Sequence, residues 1–231
     1  MLGSEYQRVH HYHIRKTAGT SLNAAFWALG GLTLKSIGQA NRFEGNGLVF
    51  VRHDPALIQR GDYLFSNSHL PAYSLTLPER TFTVTIFRDP VQRIVSHYRY
   101  LCWAKLQERD CSEEPAIDFL RGEIKWLGSS FKDFLKRIPR PHLYRQLYMF
   151  SSSYHVDEAV ERVSRCSAVC FTETYGTDLK RIASMLGLPL EEKNERRFGD
   201  ELDIPPDDLN RARDILEPEY VLLERVKRLL S

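Results

Sequence analysis

The stretch that decides the fold is Val9-His10-His11-Tyr12-His13-Ile14-Arg15-Lys16-Thr17-Ala18-Gly19-Thr20-Ser21-Leu22. Val9 to Ile14 is apolar and aromatic and reads as a strand. A small-residue loop carrying Lys16 follows, and Ser21–Leu29 has a helical pattern. Strand, loop and helix in that order make an anion-binding arrangement. The free N–H groups and the dipole of a helix N-terminus face whatever sits on the loop. Lys16 adds a full charge, and Thr17, Thr20 and Ser21 add hydroxyl donors. Lys16 precedes the loop's only glycine, Gly19, so this is not the G-x-x-x-x-G-K-[ST] loop, in which Lys follows the last Gly.

A second stretch has the same plan. Thr81-Phe82-Thr83-Val84-Thr85-Ile86-Phe87 is β-branched and aromatic, as a buried strand requires. It runs into Arg88-Asp89-Pro90-Val91-Gln92-Arg93-Ile94-Val95-Ser96-His97-Tyr98. Asp89 suits an N-cap and Pro90 the first helical turn. Ser96 follows Arg88 by about two helical turns, so both can reach one anion beyond the strand end.

Together these segments resemble the PAPS-dependent sulfotransferases (PAPS is 3′-phosphoadenosine-5′-phosphosulfate). K-T-A-G-T-S is similar to the K-T-G-G-T-S loop of the carbohydrate-type enzymes and their small bacterial relatives. R-D-P-x-x-R-x-x-S-x-Y looks like the family's 3′-phosphate element. The resemblance covers roughly Val9 to Tyr100, with weaker echoes to about Asp200. Arg15 stands where the family often has Pro, and it adds positive charge. The resemblance implies a sulfotransferase that moves a sulfuryl group from PAPS to an acceptor hydroxyl, leaving PAP, without a metal. Arg15, Lys16, Thr17, Ala18, Gly19, Thr20 and Ser21 would hold the 5′-phosphosulfate. Arg88 and Ser96 would hold the 3′-phosphate. Arg93 would either join them or pair with an acid on the surface. The late loop Asn194-Glu195-Arg196-Arg197-Phe198-Gly199 would close over the nucleotide through Arg196 and Arg197, or stand as a solvated charge run. The expected acceptor is a carbohydrate or glycoconjugate.

Composition agrees with such an enzyme and excludes other classes. The chain has 231 residues, 42% hydrophobic and 27% charged, with a net charge of +2. That is enough apolar material for a core, and too little charge for a broad nucleic-acid surface. No stretch has the roughly 18 apolar residues of a membrane span, and the first residues lack the plan of a signal peptide. The expected compartment is therefore the cytoplasm, with Cys102, Cys111, Cys166 and Cys170 as free thiols; a bridge between Cys102 and Cys111 is the alternative.

Strands are expected at Val9–Ile14, Leu48–Arg52, Tyr63–Ser66, Thr81–Phe87 and Ala168–Thr172. Helices are expected at Ser21–Leu29, Val91–Ala104, Ala116–Arg121, Phe131–Arg137, Val156–Ser164, Asp178–Leu186 and Asp207–Leu230, the last broken near Pro218. Leu34–Gly47 and Gly128–Ser130 read as loops, and Cys102–Glu114 as a charged excursion. Strands alternating with helices predict one α/β domain over residues 1–231, with a mostly parallel central sheet flanked by helices, a P-loop-like sulfotransferase fold. Ligands of such sheets bind beyond the C-terminal strand ends, where both motifs fall.

Transfer to a hydroxyl needs a base for its proton and a cation for the leaving phosphate. Lys16 is the candidate cation. His69, in Phe65-Ser66-Asn67-Ser68-His69-Leu70-Pro71, is the candidate base, since imidazole titrates near neutrality and S-H-L-P resembles the family's catalytic His position. The plainer reading is a histidine that caps a loop. His53, with Asp54 to orient it, is second; Glu44 or Glu108 would serve if the base is a carboxylate. His10, His11 and His13 have no accompanying acid or thiol, so they do not read as a metal site. Trp27 and Tyr175 are aromatic candidates for stacking on adenine, Trp27 also fitting a helix core. Tyr144–Tyr148 fits either ligand contact or core. Two rivals share the anion loop: an ATP-using phosphotransferase, and a non-catalytic module that binds the nucleotide or a sulfated glycan.

Overall fold

The computed structural model describes residues 5–107, 120, 122–193 and 203–230. Its strands are β1 (Arg8–Tyr12), β2 (Arg42–Gly45), β3 (Leu48–Arg52), β4 (Phe65–Ser68), β5 (Thr81–Phe87) and β6 (Ala168–Phe171). They form a six-stranded sheet in the order β2-β3-β4-β1-β5-β6. Every neighbouring pair is parallel except β2–β3. The helices in the first half are α1 (Gly19–Leu29), α2 (Leu34–Ile37), α3 (Pro55–Arg60) and α4 (Pro90–Gln107). In the second half come α5 (Phe131–Arg137), α6 (Arg140–Leu143), α7 (Arg145–Phe150), α8 (Val156–Ser164), α9 (Tyr175–Leu186), α10 (Pro206–Ile215) and α11 (Glu217–Leu230). The expected α/β class and mostly parallel sheet are what the chain adopts.

Helices cover both faces of the sheet, which is why its strands read as apolar runs rather than clean alternations. On one face Leu22, Ala25, Phe26 and Trp27 of α1 and Leu179, Ile182 and Leu186 of α9 pack on Val9, Phe65, Phe82, Val84 and Ile86. On the other face α7, α8 and α11 bring Leu147, Phe150, Val163, Leu222 and Val226 against Tyr12, Phe87 and Val169. A further apolar cluster joins α4, α5 and α10 through Ile94, Leu101, Phe134 and Ala212.

Several boundaries differ from expectation. Leu34–Gly47 is not all loop: it holds α2, closed by a Thr33/Ser36 capping box, and the edge strand β2. Asn46 and Gly47 both have positive φ, 49° and 71°, and turn β2 back along β3, as a two-residue hairpin demands. The polar, exposed β2 has no hydrophobic periodicity to announce it. α3 was also not expected; Asp54 caps it by accepting from the Leu57 N–H, and Pro55 opens its first turn. α4 runs on to Gln107, three residues past Ala104 and into the expected excursion, because Leu101 and Ala104 bury against α5 and α10. The strand expected at Tyr63–Ser66 lies at Phe65–Ser68. The helix expected over Asp207–Leu230 breaks at Leu216, with Pro218 in the first turn of α11. α6 and α7 were not anticipated. Most of the helix expected at Ala116–Arg121 lies outside the described residues.

Candidate functional site

β4, β1 and β5 end side by side, at Ser68, Tyr12 and Phe87. The three sequence candidates follow immediately: His69 after β4, the Arg15–Ser21 loop after β1 and Arg88 after β5. The connection leaving β1 runs toward the β2 edge and the one leaving β5 runs toward β6, so the β1/β5 boundary is a switch point of the kind at which open α/β sheets carry their ligand crevice.

The loop turns through two left-handed residues, Lys16 (φ 71°) and Ala18 (φ 62°). That conformation costs a residue with a Cβ about 1–2 kcal/mol. Ala18 is the N-cap of α1 and supplies no side-chain cap to the first-turn N–H groups. Thr20 is half-buried beside them and Ser21 buried. Gly19 admits no side chain, since a Cβ there would lie 2.1 Å from the His13 ring and 2.8 Å from that of His11. The helix start thus rests directly on imidazoles from β1 and its end.

Arg88 joins the second motif to the first. Its Nη1 donates to the Lys16 carbonyl at 3.3 Å. Its backbone is held by buried Gln146, whose Oε1 accepts from the Arg88 N–H at 2.8 Å and whose Nε2 donates to the Arg88 carbonyl at 3.0 Å. Burial lowers the pKa of the Arg88 guanidinium, while Glu173 and Asp89 counteract it. Lys16 Nζ lies 4.2 Å from the ring centre of Tyr100. Ser96 and Tyr100 are four residues apart on α4 and share a face, so the half-buried Ser96 is on the side of α4 turned to the loop.

His69 Nδ1 donates to the His13 carbonyl at 2.7 Å, which leaves the lone pair on Nε2. Four imidazoles adjoin in series, with centroid separations of 4.9 Å (His11–His13), 4.4 Å (His13–His69) and 5.3 Å (His69–His53). Asn23 ties the inner end, accepting from His11 Nδ1 at 2.8 Å and donating to His13 Nδ1 at 3.3 Å. Desolvation holds His69 and His13 well below the ordinary imidazole value. The His13 carbonyl partly offsets this for His69, and Arg15, His53 and Arg145 add to the lowering. Burial thus favours the uncharged form of both rings. No group of three or more His, Cys, Asp or Glu suited to a metal occurs among the described residues.

Other candidates have partners inside the fold. Arg93 is completely buried. Its Nη1 and Nη2 donate to the carbonyls of His142 and Leu143, and its Nε stands 3.5 Å from Glu219. The acid that Arg93 meets is thus a buried one, and its guanidinium is not turned to the loop. The Thr17 hydroxyl donates to the Ile14 carbonyl at 2.9 Å, which uses its single O–H. Arg15 pairs with Glu123, so its charge is already matched. Burial pushes the Glu123 carboxyl up, but His97 and Arg15 outweigh it and hold it at about 2. Trp27 and Tyr175 are buried in the core against the sheet. Asp54 caps α3 and does not orient the exposed His53. Glu44 is on β2, paired with Arg42. Cys102, Cys166 and Cys170 are free; burial pushes the Cys166 and Cys170 thiols to about 12. Arg196, Arg197, Glu108 and Cys111 lie outside the described residues.

Glu123 was not foreseen from sequence, whereas Arg145 and Gln146 fall in the Tyr144–Tyr148 stretch that sequence offered for ligand contact or core. Arg145 Nη2 donates to the His69 carbonyl. Tyr144–Tyr148 supplies both core, through Leu147, and half-buried Tyr144 and Tyr148.

No family model and no curated protein sequence matches the chain. Among solved structures, it aligns with mouse sulfotransferase SULT7A1 complexed with PAP at 14% identity and a TM-score of 0.40. The alignment covers 92% of this chain and 64% of that one, so the chain spans less than two thirds of that protein's length.

Proposed function

We propose that this chain is a PAPS-dependent sulfotransferase acting on a hydroxyl of a carbohydrate or glycoconjugate, as a single domain in the cytoplasm. The observation that carries the reading is the Arg88–Lys16 contact. Two motifs that resemble the family's phosphosulfate and 3′-phosphate elements lie far apart in sequence and meet beyond the C-terminal ends of neighbouring parallel strands.

In this reading the N–H groups at the start of α1, Lys16 and the hydroxyls of Thr20 and Ser21 hold the 5′-phosphosulfate. Arg88 and Ser96 hold the 3′-phosphate. Thr17 contributes through its backbone, because its hydroxyl is engaged. His69 Nε2 accepts the acceptor's proton as the acceptor oxygen bonds to sulfur. The bond from sulfur to the bridging phosphate oxygen breaks, and Lys16 stabilises the charge left on PAP. The depressed pKa keeps His69 neutral and able to accept, while a bound polyanion would raise its affinity for the proton.

Calorimetry of PAP against ATP, each with and without Mg²⁺, tests the reading. The expected result is metal-independent binding of PAP that weakens about 10- to 100-fold in Arg88→Ala, the loss of one charge-assisted hydrogen bond. Preference for Mg²⁺-ATP would replace the reading with a phosphotransferase. PAP binding without turnover of PAPS on any acceptor would leave a binding module. Near-normal turnover in His69→Ala would move the base to His53.

A further inference from the structure

The Asn23 side chain meets two stacked imidazoles and fixes where each keeps its proton. An uncharged imidazole has one N–H and one bare nitrogen. Asn23 contacts Nδ1 of both His11 and His13, at 2.8 and 3.3 Å. One amide offers its oxygen to one ring and its NH2 to the other, so the two histidines take opposite tautomers. His11 decides which is which. It is completely buried, and its Nε2 has no hydrogen-bond partner. A buried N–H left without an acceptor is rarer than an acceptor left bare. The His11 proton is therefore on Nδ1 and goes to Asn23 Oδ1. Asn23 Nδ2 then donates to His13 Nδ1, and the His13 proton is on Nε2.

That N–H meets no acceptor among the described residues. His13 is buried, with 8% exposure, and its Nε2 lies against the start of α1, where a Cβ on Gly19 would overlap it. The first-turn N–H groups of α1 have no side-chain cap. An imidazole N–H thus stands beside backbone N–H groups at the loop. The His13 ring is also 4.4 Å from that of His69, whose Nδ1 donates to the His13 carbonyl and whose Nε2 is bare. Neighbouring imidazoles present opposite chemistry, a lone pair on one and an N–H on the other. A hydroxyl attacking a sulfuryl group needs both, a base for its proton and an N–H for the charge on the sulfuryl oxygens.

We propose that His13 is a second catalytic imidazole, whose Nε2–H donates a hydrogen bond to an oxygen of the transferring sulfuryl group, with Asn23 as the positioning residue that holds the proton on Nε2. The proposal rests on the sulfotransferase reading. It adds no proton transfer to that reading: His13 keeps its proton throughout, while His69 takes that of the acceptor.

Nitrogen-15 NMR of the full chain labelled in histidine tests it, with PAP and PAPS as probes. In unliganded protein His13 should carry its proton on Nε2 and His11 on Nδ1; the reverse assignment would overturn the proposal. PAPS should shift the His13 Nε2 resonance and slow exchange of its proton, while PAP, which lacks the sulfuryl group, should not. Equal responses to the two would place His13 away from the sulfur and overturn it as well. In calorimetry His13→Phe, which keeps a stacked ring, should bind PAP within about twofold of wild type and PAPS about 10- to 100-fold more weakly, the loss of one hydrogen bond to a charged group. His13→Gln, with an amide donor, should recover part of that loss. Wild-type PAPS affinity in His13→Phe would remove His13 from the site. The resonance measurements use wild-type protein and decide the matter even where His13→Phe does not fold. If PAP itself fails to bind, the sulfotransferase reading falls and this proposal with it. If PAP binds and His13 does not distinguish it from PAPS, the proposal alone falls.

Discussion

Lys16 and Ala18 hold left-handed backbone that glycine adopts at no steric cost. Strain of this kind collects where a loop must aim its N–H groups. Ala18→Gly should relieve up to about 1 kcal/mol in equilibrium unfolding; a loss of stability would show that Ala18 is not strained. Gly19→Ala should do the reverse. Its Cβ would collide with buried imidazoles held by Asn23, so about 1–3 kcal/mol of overpacking is expected. Lys16→Ala keeps the backbone class and removes the charge. On the proposed mechanism kcat should fall about 100- to 1,000-fold, the scale for one lost transition-state donor, with the melting temperature nearly unchanged. Wild-type turnover in that variant would remove Lys16 from the mechanism. The placement of Lys16, Arg88 and His69 past three neighbouring strand ends was legible in the sequence, because each sits among turn residues after a strand pattern. Glu123 was not, and the Tyr144–Tyr148 stretch did not reveal what Arg145 and Gln146 would hold. Each of the three reaches its partner across the fold, and nothing local distinguishes a glutamine that will clamp a strand end from one that faces water.

At the scale of elements, α4, α7 and α11 meet at one buried acid. Glu219 accepts the N–H groups of Gln146 and Leu147 at 2.7 and 3.2 Å, at the start of α7, and faces Arg93 on α4. Helix dipole and ion pair both favour its charge. Glu219→Ala would strand Arg93 and two N–H groups, and should cost about 3–5 kcal/mol by denaturant titration. Glu219→Gln, which still accepts those N–H groups, should cost less. Equal effects of the two would mean the charge is irrelevant there. Long, strongly patterned elements such as β5 and α9 could be read directly. Short ones held by caps could not: α3 is six residues long and β2 four. The hairpin around β2 did leave a mark, Asn46-Gly47, whose turn chemistry outweighs the polarity of the strand.

For the molecule as a whole, the buried imidazoles set its response to acid. Burial, foremost, pushes His10 and His97 to about 3 and His11 to about 4, with His13 also well below its ordinary value. The unfolded chain takes up these protons near pH 6.5 and the native chain does not, so stability is full above that value and falls as pH drops through it. Each such ring contributes about 1.4 kcal/mol per pH unit in that window. Urea midpoints between pH 7.5 and pH 5 should therefore decline steeply; a flat profile would mean the rings are solvated. The class of the fold was readable from strand–helix alternation. The strand order was not, because it depends on which helices cover which face.

That order has a consequence for how the protein is made. Val9 pairs with Phe65 on one side and Phe82 on the other. β1, which leaves the ribosome before β4 and β5, therefore waits for two later strands, and the anion loop attached to it cannot be framed until β5 has been synthesised. Non-local parallel pairing of this kind forms slowly. Nascent chains halted before Thr81 should accordingly be protease-sensitive in the very segment that ends as the best-protected strand of the finished sheet.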